Sequence, residues 1–405
     1  MPSQFENYLI YALEFVTIYV SVFYILLLLS RKREILKEKQ PVGKLPRVSF
    51  IIPAYNEEKN IAKTMGSVLD LDYPKDKLQV IVVNDGSTDG TSQVARRYAA
   101  QRRAGERIVI LDKPNGGRAS AKNAGLRVAK GEFVATLDGD SFVERDGLRK
   151  MIAEFNDPNV AAASSVMRVA KPKSLLERLQ AIEYIAAGSF LRLILAPVDC
   201  VTILPGPFSI YRRRVFEELG GFDEGNLTED QEMALRMQRF HYKISSSRDA
   251  FVYTVPPKTL PALVKQRVRW NTGIVANLFK YRHLMGFSYG DLGFFVMPAA
   301  LVTVGYMLAV MLISVKALLT EFSLSSFAAT AQYPSLLFLG HSIILPLTIV
   351  IVSALWVSLA FTYIKPARSD AGVGSILFYL FAYFPLTIMF WLATFASAVF
   401  RVKIR

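Results

Sequence analysis

The chain has 405 residues, 52% of them hydrophobic, and its 48 Lys and Arg outnumber 34 Asp and Glu to leave a net charge of +14. That length allows one large domain with additional segments, or two to three modest domains. The single cysteine, Cys200, excludes a disulfide framework and a thiolate metal site. The basic excess suits a protein that lies against anionic lipid and handles anionic substrates, and no stripe of basic residues interleaved with aromatics marks a nucleic-acid surface.

Tyr8 to Ser30 is apolar apart from Glu14 and a few small polar residues. It lacks a basic leading region and a small-residue cleavage site, so residues 1–30 read as a retained transmembrane anchor. The segment "RKREILKEKQPVGK" follows at once, and residues 31–46 read as a basic juxtamembrane linker. The positive-inside rule then puts the N-terminus outside and residues 31–290 in the cytoplasm.

Between about 47 and 170, the runs "RVSFIIPAY", "LQVIVV", "RIVIL" and "FVATL" are each followed by a loop and a helix-like stretch. This pattern predicts βαβ units and a largely parallel sheet, an α/β domain spanning residues 47–258. From Ser174 to Ala196, Leu175, Leu179, Ile182, Ala186, Phe190 and Leu193 recur at spacings of three and four. They predict an amphipathic helix that either faces the core or lies in the membrane interface. A second interfacial helix is expected within 259–291. Residues 292–315, 322–364 and 371–400 carry no charged side chain, and a 24-residue helix is about 36 Å long, enough for the hydrocarbon core. The reading is an integral protein of the cell membrane with about four spans, three of them within 292–405. Four spans place the basic tail "RVKIR" outside, against the rule, so either the tail is a weak signal or the count is off by one. His341 and the tract "FYLFAYF" (378–384) read as packing or interface residues.

Ligands of such sheets sit beyond the carboxyl ends of the strands, where this chain places "PAYNE", "NDGSTDGT", "KPNGGRASAKNAG" and "DGDS". Asp138 and Asp140 are hard oxygen donors two residues apart, able to share Mg²⁺ or Mn²⁺ if the chain turns at Gly139. The Gly-rich loops match neither the Walker nor the GxGxxG pattern. Asp85 either bonds a base or ribose or caps the following helix. In "TEDQEMAL", Thr228 is a good N-cap and acids in a first helical turn are stabilised by the helix dipole, so Glu229 and Asp230 alone read as an ordinary helix start.

Taken in order, "PAYNE", "DGSTDGT", "GGRASAKNAG", "DGD", "GPFSIYRR", "GGFDE", "TED" and "QRVRW" resemble the family 2 glycosyltransferases, in particular the membrane-bound branch of cellulose, hyaluronan and chitin synthases. The resemblance spans residues 48 to 270. It implies a GT-A, Rossmann-like catalytic domain, with Pro53, Tyr55, Glu57, Asp85 and Arg118 binding the donor. Asp138 and Asp140 would hold the diphosphate through Mg²⁺ or Mn²⁺. Asp230 would be the general base, with Glu229 supporting it or capping the helix. Gln266 and Arg269 would close over the diphosphate, and Trp270 would line the acceptor site. Asn84 and Arg118 depart from the usual acid and lysine but keep hydrogen-bonding capacity.

The expected reaction is inverting transfer of a hexose from a GDP- or UDP-sugar, and no residue decides between those bases. A base dedicated to a hydroxyl, membrane anchoring, a small membrane region and no "FxVT" gating sequence favour a non-processive enzyme acting on a polyprenyl- or dolichyl-linked glycan. The alternatives are a processive polysaccharide synthase and an inactive sugar-nucleotide-binding scaffold.

Overall fold

The computed structural model describes residues 4–102, 105–321, 344–364 and 372–400. His341 and the basic tail lie outside them. The described residues form two compact units: one comprises the stretch up to Lys32, Thr259–Thr362 and 372–400, and the other comprises Arg33–Lys258 with Tyr363 and Ile364.

In chain order, α1 (Gln4–Ser30) and α2 (Lys32–Leu36) precede the sheet domain. That domain begins β1 (Val48–Ala54), α3 (Ile61–Leu69), β2 (Leu78–Asp85), α4 (Thr91–Gln101), β3 (Ile108–Lys113), α5 (Arg118–Val128) and β4 (Phe133–Thr136). It continues with β5 (Ser141–Val143), α6 (Gly147–Ala153), β6 (Val160–Val169), α7 (Leu175–Glu183), α8 (Leu191–Leu195), β7 (Ser209–Arg212), α9 (Arg213–Leu219), α10 (Glu229–Arg239) and β8 (Lys243–Thr254). The eight strands form one sheet in the order β3-β2-β1-β4-β7-β6-β8-β5. Pairing is parallel across β3-β2-β1-β4 and between β6 and β8, while β7 and β5 run antiparallel to their neighbours. The first strands are continuous apolar runs because helices cover both faces: Phe50, Ile51, Ile52, Val80, Ile81, Val82 and Val83 are fully buried.

The helix expected from Ser174 is resolved in favour of the core. Ser174 caps α7 through a capping box with Glu177, a π-helical turn (Tyr184–Phe190) continues into α8, and the stretch packs on β6. Its length and hydropathy would suit a membrane span, yet 67% of it is buried inside the protein. The basic segment belongs to this unit too. Ile35 is buried, Asn156 Nδ2 donates to the Gln40 carbonyl (2.7 Å) and Tyr73 OH to that of Pro46 (2.7 Å).

The other unit contains α1, α11 (Leu260–Lys280), α12 (Met297–Glu321), α13 (Ile344–Tyr363, nearly all of it) and α14 (Val373–Val399). The segments Tyr11–Ser30, Leu292–Leu312 and Val373–Val399 are long and apolar enough to cross a membrane, and Leu347–Tyr363 is a shorter apolar helix. These helices make the chain an integral membrane protein. Leu13 and Val310 form a small core against Tyr306, Ala309, Ile349, Phe384 and Ile388. Within "FYLFAYF", Tyr379 and Tyr383 stack on each other with centroids 4.4 Å apart, as packing residues do.

One glycine sets how closely α5 approaches the sheet. A Cβ at Gly125 would lie 2.5 Å from Ile51 Cγ2, inside the core. Gly125→Val is therefore expected to destabilise the fold by about 1–3 kcal/mol through overpacking. A lowered melting midpoint of the detergent-solubilised full chain would show it.

Candidate active site

Strand order creates the crevice. The chain leaves β1 towards β2 and β3 on one side, then returns to β4 on the other, so connections diverge at the carboxyl ends of β1 and β4. Pro53 is near the end of β1, Tyr55 follows it half-exposed, and Glu57 lies two residues beyond. Leu137 N donates to Ile51 O (3.0 Å) and carries the backbone out of β4 to Asp138, where a turn is closed by Ser141 N donating to Asp138 O (3.0 Å). Gly139 permits this turn for a different reason than expected. It is not among the residues with left-handed backbone; instead, a Cβ there would meet Glu57 Cγ at 3.0 Å and Pro53 O at 3.1 Å. Absence of a side chain lets the acidic turn press against the end of β1.

Three acids gather at this point. Burial, then Asp138 and Glu57, push the Asp140 carboxyl up to about 7, and burial likewise raises Glu57, with Asn60 opposing and Asp138 adding to the shift. Asp138 Oδ1 is buried without a hydrogen-bond partner. Crowded hard oxygens with an orphaned lone pair fit a divalent cation. Among the described residues no three His, Cys, Asp or Glu side chains form a metal cluster. Two protein carboxylates with other positions left to phosphate and water is the arrangement expected of Mg²⁺-type sites in phosphate enzymes. Arg118, the first residue of α5, reaches to 3.6 Å from Asp138 Oδ2, and that carboxylate, more than any other neighbour, holds the guanidinium firmly protonated.

Asp230 stands close by, in the first turn of α10. Its Oδ2 accepts from Gly206 N (3.3 Å) and its Oδ1 from Gln231 N (2.9 Å), which fixes the carboxylate plane. A Cβ on Gly206 would lie 3.0 Å from Asp138 Oδ1, so one glycine backbone separates the acid at the end of β4 from the acid of α10. Glu229 points instead into the core, where its Oε1 accepts from Lys122 Nζ at 2.8 Å with both side chains almost wholly buried. Burial acts to raise the Glu229 carboxyl, but Lys122 and Arg118 overcome it and hold it down to about 2. A group so acidic is ionised at all working pH values and is a poor proton acceptor. The expected N-cap is not made: the Thr228 hydroxyl makes no capping bond, because its backbone (φ −132°, ψ 67°) turns it towards Asn226 and Gln231.

Asp85, at the end of β2, does not cap the next helix, which begins at Thr91 after Gly90. Its Oδ1 accepts from Lys113 Nζ (2.5 Å) and Gly116 N (3.0 Å), and its Oδ2 from Gly117 N (2.8 Å). It thereby orders the loop that delivers Arg118. Asn84 keeps its bonding capacity as expected, donating to Asp112 Oδ1 (2.8 Å) and accepting from Ser87 N (3.2 Å).

The structure thus brings Pro53, Tyr55, Glu57, Arg118, Asp138, Asp140 and Asp230 to the strand ends, with Asp85 and Glu229 behind them. Gln266, Arg269 and Trp270 lie on α11 in the other unit. There the buried Arg267 guanidinium sits 4.2 Å from the Trp270 ring, and Asn271 Nδ2 donates to Thr394 Oγ1 of α14 (3.2 Å). Sequence reasoning passed over Lys122 and Gly206, although both lie within quoted motifs, and over Arg192. Arg192 is buried on Ser164, Ser165 and Ser189, and burial pulls its guanidinium down to about 10 while the Asp230 charge opposes. A separate cavity of about 610 Å³, lined by Lys39, Glu154, Lys243 and Ser245 among others, lies at the opposite, amino-terminal end of β6 and β8 and holds none of these acids.

Because the Glu229 pKa is lowered on folding, its ion pair stabilises the fold fully above the unfolded value near 4.5 and loses that contribution as pH falls towards 2. Glu229→Gln should lower the melting midpoint at pH 7, where it leaves Lys122 buried without a charged partner. The gap from wild type should narrow steadily between pH 5 and pH 3, as measured by thermal unfolding in detergent at each pH.

Residues 49–220 match the Glycosyl transferase family 2 profile. Poly-beta-1,6-N-acetyl-D-glucosamine synthase of Staphylococcus epidermidis is 28% identical over 271 residues, 66% of this chain and 65% of the relative. The synthase of that name from Staphylococcus aureus strain COL is 30% identical over 275 residues, 67% of this chain and 65% of the relative. The chain therefore matches somewhat less than two thirds of the length of these curated relatives. Among solved structures, a mannosyltransferase of Pyrobaculum calidifontis in complex with GDP-Man and Mn²⁺ superimposes with a TM-score of 0.61 at 22% identity, covering 96% of this chain and 100% of that one, which shows a shared fold. With its parallel-rich GT-A sheet, its acids at the strand ends and its membrane helices, this chain carries a family 2 glycosyltransferase domain across residues 49–220.

Proposed function

We propose that the chain is a divalent-cation-dependent, inverting polysaccharide synthase that adds sugars from a nucleotide donor to a hydroxyl of a growing glycan. The observation that carries the polymerising activity is the similarity to poly-beta-1,6-N-acetyl-D-glucosamine synthases, which runs over 66–67% of the chain and so extends beyond the family domain. The expectation of single-sugar transfer to a lipid-linked glycan draws no support from these relatives and becomes an outcome of the test. By the same comparison, UDP-N-acetylglucosamine is the first donor to try.

The chemistry follows from the residues. The bond from C1 to the diphosphate breaks with its electron pair leaving on phosphate oxygen, while the acceptor oxygen bonds C1 from the opposite face and inverts it. Asp138 and Asp140 would hold a divalent cation, which when bound supplies electrostatic stabilisation to the leaving diphosphate. Arg118, already aimed at Asp138, adds positive charge at the same point. The hydroxyl proton passes to Asp230, whose carboxylate the Gly206 and Gln231 amides orient. Pro53, Tyr55 and Glu57 form the proposed wall for the nucleoside, and Asp85, behind them, orders the loop that delivers Arg118. Gln266, Arg269 and Trp270 are assigned to the diphosphate and acceptor by resemblance alone. With residues 47–258 as the catalytic domain, transfer takes place on the cytoplasmic side.

Membranes containing the full chain should convert labelled UDP-N-acetylglucosamine, with Mg²⁺ or Mn²⁺, into high-molecular-weight polymer; UDP-glucose and GDP-mannose serve as competing donors. Asp230→Asn should reduce incorporation by about 10²–10⁴-fold. Label confined to a discrete lipid-soluble product would return the chain to the non-processive, lipid-linked reading. Donor binding without turnover would make it a scaffold.

A further inference from the structure

Lys122 is among the largest fully buried side chains of the protein, 1% exposed, with its ammonium 2.8 Å from Glu229 Oε1 and 5.0 Å from the Phe222 ring centroid. Burying both charges carries a desolvation penalty of several kcal/mol per ion, and well-packed apolar residues of the same volume often serve stability as well or better. Stability alone therefore gives little reason for the pair.

Its position gives one. Glu229 is bonded in sequence to Asp230, the proposed base. Lys122 lies one turn along α5 from Arg118, and residues four apart share a helix face. That face meets Asp138 through Arg118 at 3.6 Å and Glu229 through Lys122 at 2.8 Å. The next residue, Asn123, clamps the loop before α10: its Nδ2 donates to Phe222 O (2.9 Å) and its Oδ1 accepts from Phe222 N (2.8 Å). Gly125 in turn lets α5 lie directly on β1. One helix, seated on the sheet, thus fixes both ends of the reaction.

We propose that Lys122 is a positioning residue: acting through Glu229, it sets the place of Asp230 relative to the diphosphate site that Arg118 and Asp138 define. The proposal rests on the glycosyl-transfer reading. Lys122 itself touches neither donor nor acceptor. Its ammonium anchors the start of α10 by a short charge-assisted bond, and a displacement near 1 Å at a reacting group lowers turnover by about 10²-fold.

Wild type, Lys122→Met, and the double variant Lys122→Met/Glu229→Gln are compared in the same membranes, with Asp230→Asn as the blank. The single variant leaves Glu229 buried and unpaired and is expected to accumulate poorly. The double variant removes both charges at nearly constant volume, so it should accumulate and melt near the wild type. The expected result for it is a donor KM within about threefold of wild type with kcat lowered by about 10²-fold. The loss falls on kcat and spares the donor KM, a split that a general loss of folded protein would not produce. A double variant that turns over at the wild-type rate would overturn the proposal while leaving the glycosyl-transfer reading intact. No transfer by the wild type would overturn that reading, and this proposal with it.

Discussion

Glu57, Asp138, Asp140, Glu229 and Asp230 converge beyond the carboxyl ends of the strands, where burial and neighbouring carboxylates make Glu57 and Asp140 harder to ionise. Much of the catalytic unit answers that constraint. Arg118 faces Asp138, Lys122 neutralises Glu229, and the Arg192 guanidinium is held buried within reach of the Asp230 field. Asp140, left with Ser141 and Thr254 hydroxyls for partners, is the carboxyl that burial and its acidic neighbours push up to about 7. The crowding of negative charge at Asp138 and Asp140 is what a divalent cation would offset, leaving that cation free to take a diphosphate oxygen.

Small residues let these groups converge. Gly139 presses the acidic turn against β1, and Gly206 lets its loop pass between Asp138 and Asp230. Neither position has left-handed backbone. What they supply is room, and a methyl at either would stand at about 3 Å from an oxygen or carbon of the site. On the neighbouring strand Asp85 has a related role, drawing the amides of Gly116 and Gly117 together so that Arg118 starts its helix in the right place.

The strands and the acids that end them were legible because buried parallel strands read as continuous apolar runs, so the polar residue that stops each run marks the crevice. The membrane helices were legible from uncharged length. Other features were not. The span-like stretch Leu175–Val198 is decided by what it packs on, and its hydropathy alone does not separate core from bilayer. Thr228 has the right side chain for a cap, but the backbone needed to orient Asp230 turns the hydroxyl elsewhere. Lys122 reads as one more surface lysine in a basic chain, and only the fold reveals that its partner lies 107 positions away. Residues that touch ligand carry local signatures; those that place them depend on tertiary pairing.

In the proposed reaction Asp138 and Asp140 jointly hold a divalent cation together with the donor diphosphate, and Asp230 stands apart from that task. Mn²⁺ binding to the purified full chain, followed by electron paramagnetic resonance with and without UDP or GDP, tests this assignment. Binding should be strengthened by the nucleoside diphosphate, lost in Asp138→Asn and in Asp140→Asn, and retained in Asp230→Asn. Diphosphate-linked Mn²⁺ binding that survives replacement of both Asp138 and Asp140 would contradict it.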